Sequence, residues 1–203
     1  MTKTPGRPRL HPGQPGVESR EEILAAAASL FAEKGFAGST TRQIAERARV
    51  RQASLYYHFS GKEAILLELL QASVTPTLAR AAEYLQAEDA RAALYDLARA
   101  DAAMLLAEPH NIGTMYLSPE IDAPAFAEFR AARGELTRIY GELARRIDPE
   151  LDEGFAGTCC IQLVEMVIRV RQEGTEYDEL ADHIARACLR VCGVIGEWSI
   201  SSR

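Results

Sequence analysis

Apolar residues return every three or four positions along nearly the whole chain, and no segment alternates between apolar and polar residues as a half-buried strand would. Ile23, Ala27, Leu30 and Phe31 form the first stripe, with Ser19 and Glu22 placed as a capping box ahead of it and Gly35 placed to end it. Residues 39–62 read as two short helices. Thr40 or Thr41 caps the first, Ile44 and Ala45 face inward, a break falls near Arg49 and Val50, and Leu55 and Phe59 form the inner face of the second. Further helices are predicted over 62–85, 89–107, 110–117, 124–147, 151–172 and 177–198, with Pro76 expected to kink or split the first of these. The pattern predicts an all-α fold.

The outer face of the second short helix carries Arg51, Gln52, Ser54, Tyr57 and His58. Two helices joined by a tight turn, the second crowded with basic, amide and aromatic side chains, make a helix-turn-helix whose second helix suits a DNA major groove.

At these residues the chain resembles the TetR family of bacterial transcriptional regulators. The matching pieces are FAEKGF, TTRQIA, a valine in the turn, and LYYHFSGKEAIL, in that order and spacing. The resemblance covers residues 19–70 closely and the remainder only in architecture. It implies a flexible basic arm at 1–18, a three-helix DNA-binding domain at 19–65, and a larger helical ligand-binding and dimerisation domain at 66–203. It also implies that Thr41, Tyr56 and Lys62 hold phosphates and that Arg42 and Gln52 reach bases. Arg suits guanine O6/N7 and Gln suits adenine N6/N7. Arg51, Ser54, Tyr57 and His58 complete the expected contact set with double-stranded operator DNA.

Three positions depart from the family pattern. Arg49 stands where the family usually has a glycine in left-handed conformation, at a cost of about 1 kcal/mol. Arg51 stands where a small or polar residue is usual, and Ala53 where glycine is. Both arginines either add contacts to DNA or are simply solvated.

Charge sharpens this picture. The 203 residues carry a net charge of −6, which by itself argues against a nucleic-acid partner. Residues 1–62, however, hold ten Lys/Arg against five Asp/Glu, whereas residues 63–203 hold thirteen against twenty-four. Positive charge is confined to the part that contains the helix-turn-helix, so one end attracts phosphates while the other repels them.

Residues 1–18 are rich in Pro and Gly, and their PGRPR core places Arg7 and Arg9 either in a solvated tail or in a minor-groove arm. No apolar run reaches the roughly 20 residues of a membrane span, and no secretory leader is recognisable, so a cytoplasmic location is expected. Cys159, Cys160, Cys188 and Cys192 lack metal-ligand spacing and read as reduced packing residues, with redox sensing as the alternative. No metal and no cofactor is expected. No phosphate-binding glycine loop, nucleophile elbow or nucleophile–base pair suggests an enzyme, so no catalytic residue is assigned; a protein-only adaptor would not need the basic head.

The last two predicted helices are apolar around more than one face. Either a monomer buries both faces, or, as the family resemblance implies, these helices form a four-helix bundle with a second copy in a homodimer. The family also binds small effectors between its middle helices. Here Tyr95, Met104, Met115, Tyr116, Phe126, Phe129, Tyr140 and Met166 line such a pocket or simply fill the core. Arg169 and Arg171 suit an anionic ligand or an intersubunit ion pair. A ligand-responsive repressor is the expected function, with an activator or a constitutive regulator without an effector as the alternative.

Overall fold

A computed structural model describes residues 17–194, with side chains from Arg20 onward. The arm containing Arg7 and Arg9, and the end of the last predicted helix at Trp198, lie outside the described residues. The described chain is all-α, as the periodicity predicts, with no strand among these residues.

The N-terminal head comprises α1 (Val17–Lys34), α2 (Thr41–Arg47), α3 (Gln52–His58) and the start of α4 (Lys62–Ala72). Helix α1 opens at Val17, two residues before Ser19, so Ser19 is not ahead of the helix; its side chain lies outside those described. Gly35 does end α1, at φ 72°, where a side chain would be strained. Ile23, Leu30, Phe31, Ile44 and Leu55 are fully buried and tie the three head helices into one core with Ile65 and Leu66 of α4.

The expected long helix over 62–85 is three pieces: α4, α5 (Thr75–Ala79) and α6 (Ala81–Gln86). The break falls at Ser73–Val74, just before Pro76. Pro76 takes the second position of α5, where its missing N–H is not needed. The buried Ser73 hydroxyl donates to the Leu70 carbonyl at 2.6 Å and so closes the end of α4.

Helix α7 (Ala90–Ala107) begins where Asp89 accepts from the amides of Arg91 and Ala92. Three short 3-10 turns follow, at Ile112–Met115, Pro119–Asp122 and Pro124–Phe126, where helix had been expected over 110–117 and from 124. Helices α8 (Ala127–Ile147), α9 (Glu153–Glu173) and α10 (Leu180–Val191) complete the body. Leu94 and Leu97 of α7, Ile139 and Leu143 of α8, Val164 and Val167 of α9, and Ile184 of α10 supply its core.

Helices α8 and α9 approach closely because glycines meet backbone. A Cβ on Gly157 would stand 2.2 Å from the Thr137 carbonyl oxygen, and one on Gly141 2.2 Å from that of Glu153. The 3-10 turn at Ile112–Met115 touches α1, α4 and α9, and so links the head to the body. Asn111, left-handed at φ 51°, anchors it by donating its side-chain amide to the Ile168 carbonyl of α9 at 3.0 Å.

Cys160, Cys188 and Cys192 are buried, and the Cys188 thiol points to the Cys160 carbonyl at 3.7 Å. Hydrogen bonding to Cys188 together with burial pushes the Cys160 thiol above the ordinary thiol range, which disfavours its thiolate. Among the described residues no group of His, Cys, Asp and Glu could hold a metal ion. No helix among them is long and apolar enough to cross a membrane.

Candidate nucleic-acid interface

The angle between α2 and α3 is set by local chemistry. Thr40 caps α2 in a reciprocal box: its hydroxyl accepts from the Gln43 amide at 3.2 Å, and the Gln43 side chain accepts from the Thr40 amide at 3.0 Å. After α2 the chain reverses at Arg49, which adopts φ 56°. This is the left-handed conformation expected at that position, held by a non-glycine residue. The Val50 amide then donates to the Ala45 carbonyl at 3.0 Å, closing the turn. Arg47 fixes α2 to α1 through the Ser29 hydroxyl at 2.8 Å and the Glu33 carboxylate at 2.7 Å.

Helix α3 buries Leu55 and turns its other side to solvent. Arg51, Gln52, Tyr56 and Tyr57 are exposed, Tyr57 at 85%. Ser54 and His58 are half-buried, and the His58 ring stands edge-on to Tyr57 with centroids 5.1 Å apart. Thr41 on α2 and Tyr56 on α3 share a hydrogen bond of 3.1 Å between their hydroxyls. Arg42 is exposed and paired with Glu46 at 2.9 Å. An exposed phenol and an amide on one short helix, with the Arg51 guanidinium just before it, offer donors to phosphates and base edges, while the apolar face stays in the core.

Lys62 sits differently from the rest. Its ammonium is turned inward, donating to the carbonyls of Phe36 at 3.0 Å and Ser39 at 3.2 Å, and it lies 4.2 Å from the centre of the Phe36 ring. It clamps the α1–α2 connection to the start of α4. Arg20 does similar work, pairing with Glu68 of α4 and lying 5.1 Å over the Phe59 ring. The positions of both clamps follow from tertiary contacts across 26 and 48 residues, which no local pattern reveals.

Below the head, a cavity of about 20 Å³ lies between the α4–α5 joint and helices α7, α8 and α9. Of the residues expected to line a pocket, Met104 and Tyr116 reach it. Phe129 backs Tyr116 at 5.4 Å, and the Tyr140 hydroxyl donates to Asp101 at 2.9 Å, so both form a layer behind the wall. Met115 is buried in its 3-10 turn, and Phe126 stands edge-on to Phe36 of the head at 6.5 Å. Tyr95 donates its hydroxyl to Asp182 of α10, and Met166 is 42% exposed; neither lines the cavity.

Four polar lining residues escaped the sequence reading: Ser73, Asp101, Arg133 and Glu165. Asp101 accepts from Thr77 and Tyr140, and burial raises its pKa to about 6. Arg133 pairs with Glu165 and lies 5.0 Å over the Tyr116 ring. The Tyr116 hydroxyl donates to Ser73 at 2.7 Å, which joins the cavity wall to the end of α4. One signal was available: Asp101 falls on the buried α7 stripe of Leu94, Leu97 and Leu105, where a carboxylate is out of place.

The family model for bacterial regulatory proteins of the tetR family matches residues 23–69, the head and its link to the body. Beyond the head, the whole fold superposes on the crystal structure of Mycobacterium smegmatis AmtR with a TM-score of 0.83, at 39% identity and with 92% of each chain covered. The chain belongs to the TetR family. Among other TetR-type proteins, the head is 42% identical over 60 residues to the transcriptional repressor KstR2 of Mycolicibacterium smegmatis. It is 43% identical over 56 residues to the class C tetracycline repressor protein of Escherichia coli. These two matches span only 29% and 26% of the relatives' own lengths, so the likeness to them is a likeness of TetR heads.

Proposed function

We propose that this TetR-family chain is a transcriptional repressor. It binds a roughly palindromic operator as a homodimer and leaves it when a small molecule occupies the cavity beneath the head. The observation that carries the reading is the exposed face of α3, where Arg51, Gln52, Tyr56 and Tyr57 project from a capped and clamped helix-turn-helix. Gln52 and Arg42 read base edges, Arg51, Thr41 and Tyr56 engage phosphates, and Ser54, Tyr57 and His58 contact sugar, methyl or base edges.

Dimerisation is supported by α9, whose outer side exposes Phe155 at 70% and Met166 at 42%. Two-fold pairing there sets the distance between the two copies of α3 and hence the half-site spacing. Release works by population shift: an occupant of the cavity favours a different position of the α4–α5 joint, and α4 carries that change into the head.

Electrophoretic mobility shift with DNA flanking the encoding gene tests the reading, followed by competition on randomised DNA. The full chain is expected to retard a fragment with a two-fold repeat, and Gln52→Ala to relax its sequence preference. Retardation that is independent of sequence would count against a repressor of specific operators.

A further inference from the structure

The cavity beneath the head has an unbalanced charge. Glu165 is matched by Arg133, but Asp101, 3% exposed, pairs with no basic side chain among the described residues. Its two oxygens are held by the hydroxyls of Thr77 and Tyr140, which orient the carboxylate without neutralising it. Among the described residues, the charge that acts on it is that of Glu165, a like charge. An organic acid entering here would bring a third negative group into a small space whose apolar wall includes Val74, Met104, Leu136 and Ile161.

We infer that this cavity binds a small amine, with the ammonium group against Asp101 and the carbon chain along the apolar wall. The inference rests on the reading of the cavity as the effector site and names the chemistry of the effector. The space of about 20 Å³ exceeds the roughly 10–15 Å³ that one water-sized group needs, so it seats the ammonium head, and the carbon chain enters as the α4–α5 joint gives way. The cation has no competing aromatic seat, because Arg133 already covers the Tyr116 ring. The Arg133 Nε–H is buried without a hydrogen-bond partner, so it can donate to an oxygen on the same molecule. A ligand held between Asp101 and Arg133 touches Ser73 and Tyr116, whose mutual hydrogen bond joins the cavity wall to the end of α4. Occupancy therefore acts on the helix that carries the head.

Titration calorimetry of the full-length protein at matched ionic strength, with 4-amino-1-butanol, 1,4-butanediol and 4-hydroxybutyrate, separates charge from size. The amine is expected to bind at least tenfold more tightly than the diol or the acid. Asp101→Asn is expected to abolish that preference while circular dichroism stays unchanged. Equal binding of the three compounds, preference for the acid, or no binding of the amine overturns the inference, and this comparison on the unaltered protein does not depend on the variant folding. A mobility shift run in parallel keeps the two readings apart. Operator binding relieved by the acid sinks the amine assignment and leaves the repressor; amine binding without operator binding does the reverse.

Discussion

The Lys62 ammonium lies 3.0 Å from the Phe36 carbonyl oxygen and so joins the first residue of α4 to the connection after α1. A lysine spent in this way supports the head from within. Lys62→Met removes two charge-assisted hydrogen bonds and should destabilise the protein by about 1–2 kcal/mol, measured by urea unfolding. Operator affinity should fall evenly across sequences with the salt slope unchanged, whereas Arg51→Ala should lower the slope by about one. A slope that drops by about one in Lys62→Met would mean that the lysine swings out to a phosphate in the complex, as the family resemblance implies.

Arg49 holds φ 56° in the turn between α2 and α3. Glycine adopts that conformation freely, whereas an L side chain there costs on the order of 1 kcal/mol. Arg49→Gly should therefore raise stability by up to about 0.5 kcal/mol in a thermal melt, after allowance for the extra freedom that glycine gives the unfolded chain. If the variant loses operator affinity while gaining stability, the Arg49 side chain contacts DNA as well.

The helices were legible because burial on one side imposes a 3.6-residue period, and their ends because Thr40, Gly35 and Asp89 carry local capping chemistry. The head was legible for the same reason, since a helix-turn-helix is local in sequence. The cavity was not. Asp101 meets Thr77 across 24 residues and Tyr140 across 39, and the Arg133–Glu165 pair spans 32. Aromatic and methionine side chains look alike whether they line a space or fill one, and so the pattern points to Tyr95 and Met166 and passes over Ser73. The division of 62–85 into three helices was half legible: Pro76 announces a break, but the Ser73 hydroxyl and the α5–α8 packing fix where it falls.

The closeness of α8 and α9 depends on having no side chain at Gly157. Alanine there would place a Cβ 2.2 Å from the Thr137 carbonyl oxygen, well inside contact distance, and the obstacle is backbone. Gly157→Ala should force the helices apart and cost about 1–3 kcal/mol. Gly154, exposed on the same helix and with room for a Cβ, is the control: alanine there should stabilise by up to about 1 kcal/mol. Urea midpoints of the two variants should therefore move in opposite directions.

Phe155 and Met166 lie eleven residues apart on α9, three helical turns along one side, and both face solvent in the isolated chain. If that side is the dimer interface, Phe155→Glu with Met166→Glu should give a monomer by sedimentation velocity while helicity is retained. Operator affinity should then fall steeply, because each monomer engages a single half-site. A double variant that sediments as the wild type would place the interface elsewhere.

Asp101 gives stability a particular dependence on pH. Its carboxyl is raised from 3.8 to about 6 in the folded chain, chiefly by burial, while the hydroxyls of Thr77 and Tyr140 work in the opposite direction. The native state therefore binds this proton more tightly than the unfolded state does. The associated stability is fully present below pH 3.8 and is lost as pH rises through 6. Between those limits the change amounts to roughly 3 kcal/mol. Other carboxylates titrate over the same range, so the informative quantity is the difference from Asp101→Asn, which lacks the titrating group. Measured by urea unfolding from pH 7.5 down to 5, the wild type should gain stability relative to the variant, with a slope that sets in around pH 6 and is steepest towards pH 5. A flat difference would mean that Asp101 is solvated, or matched by a cation, in the folded protein.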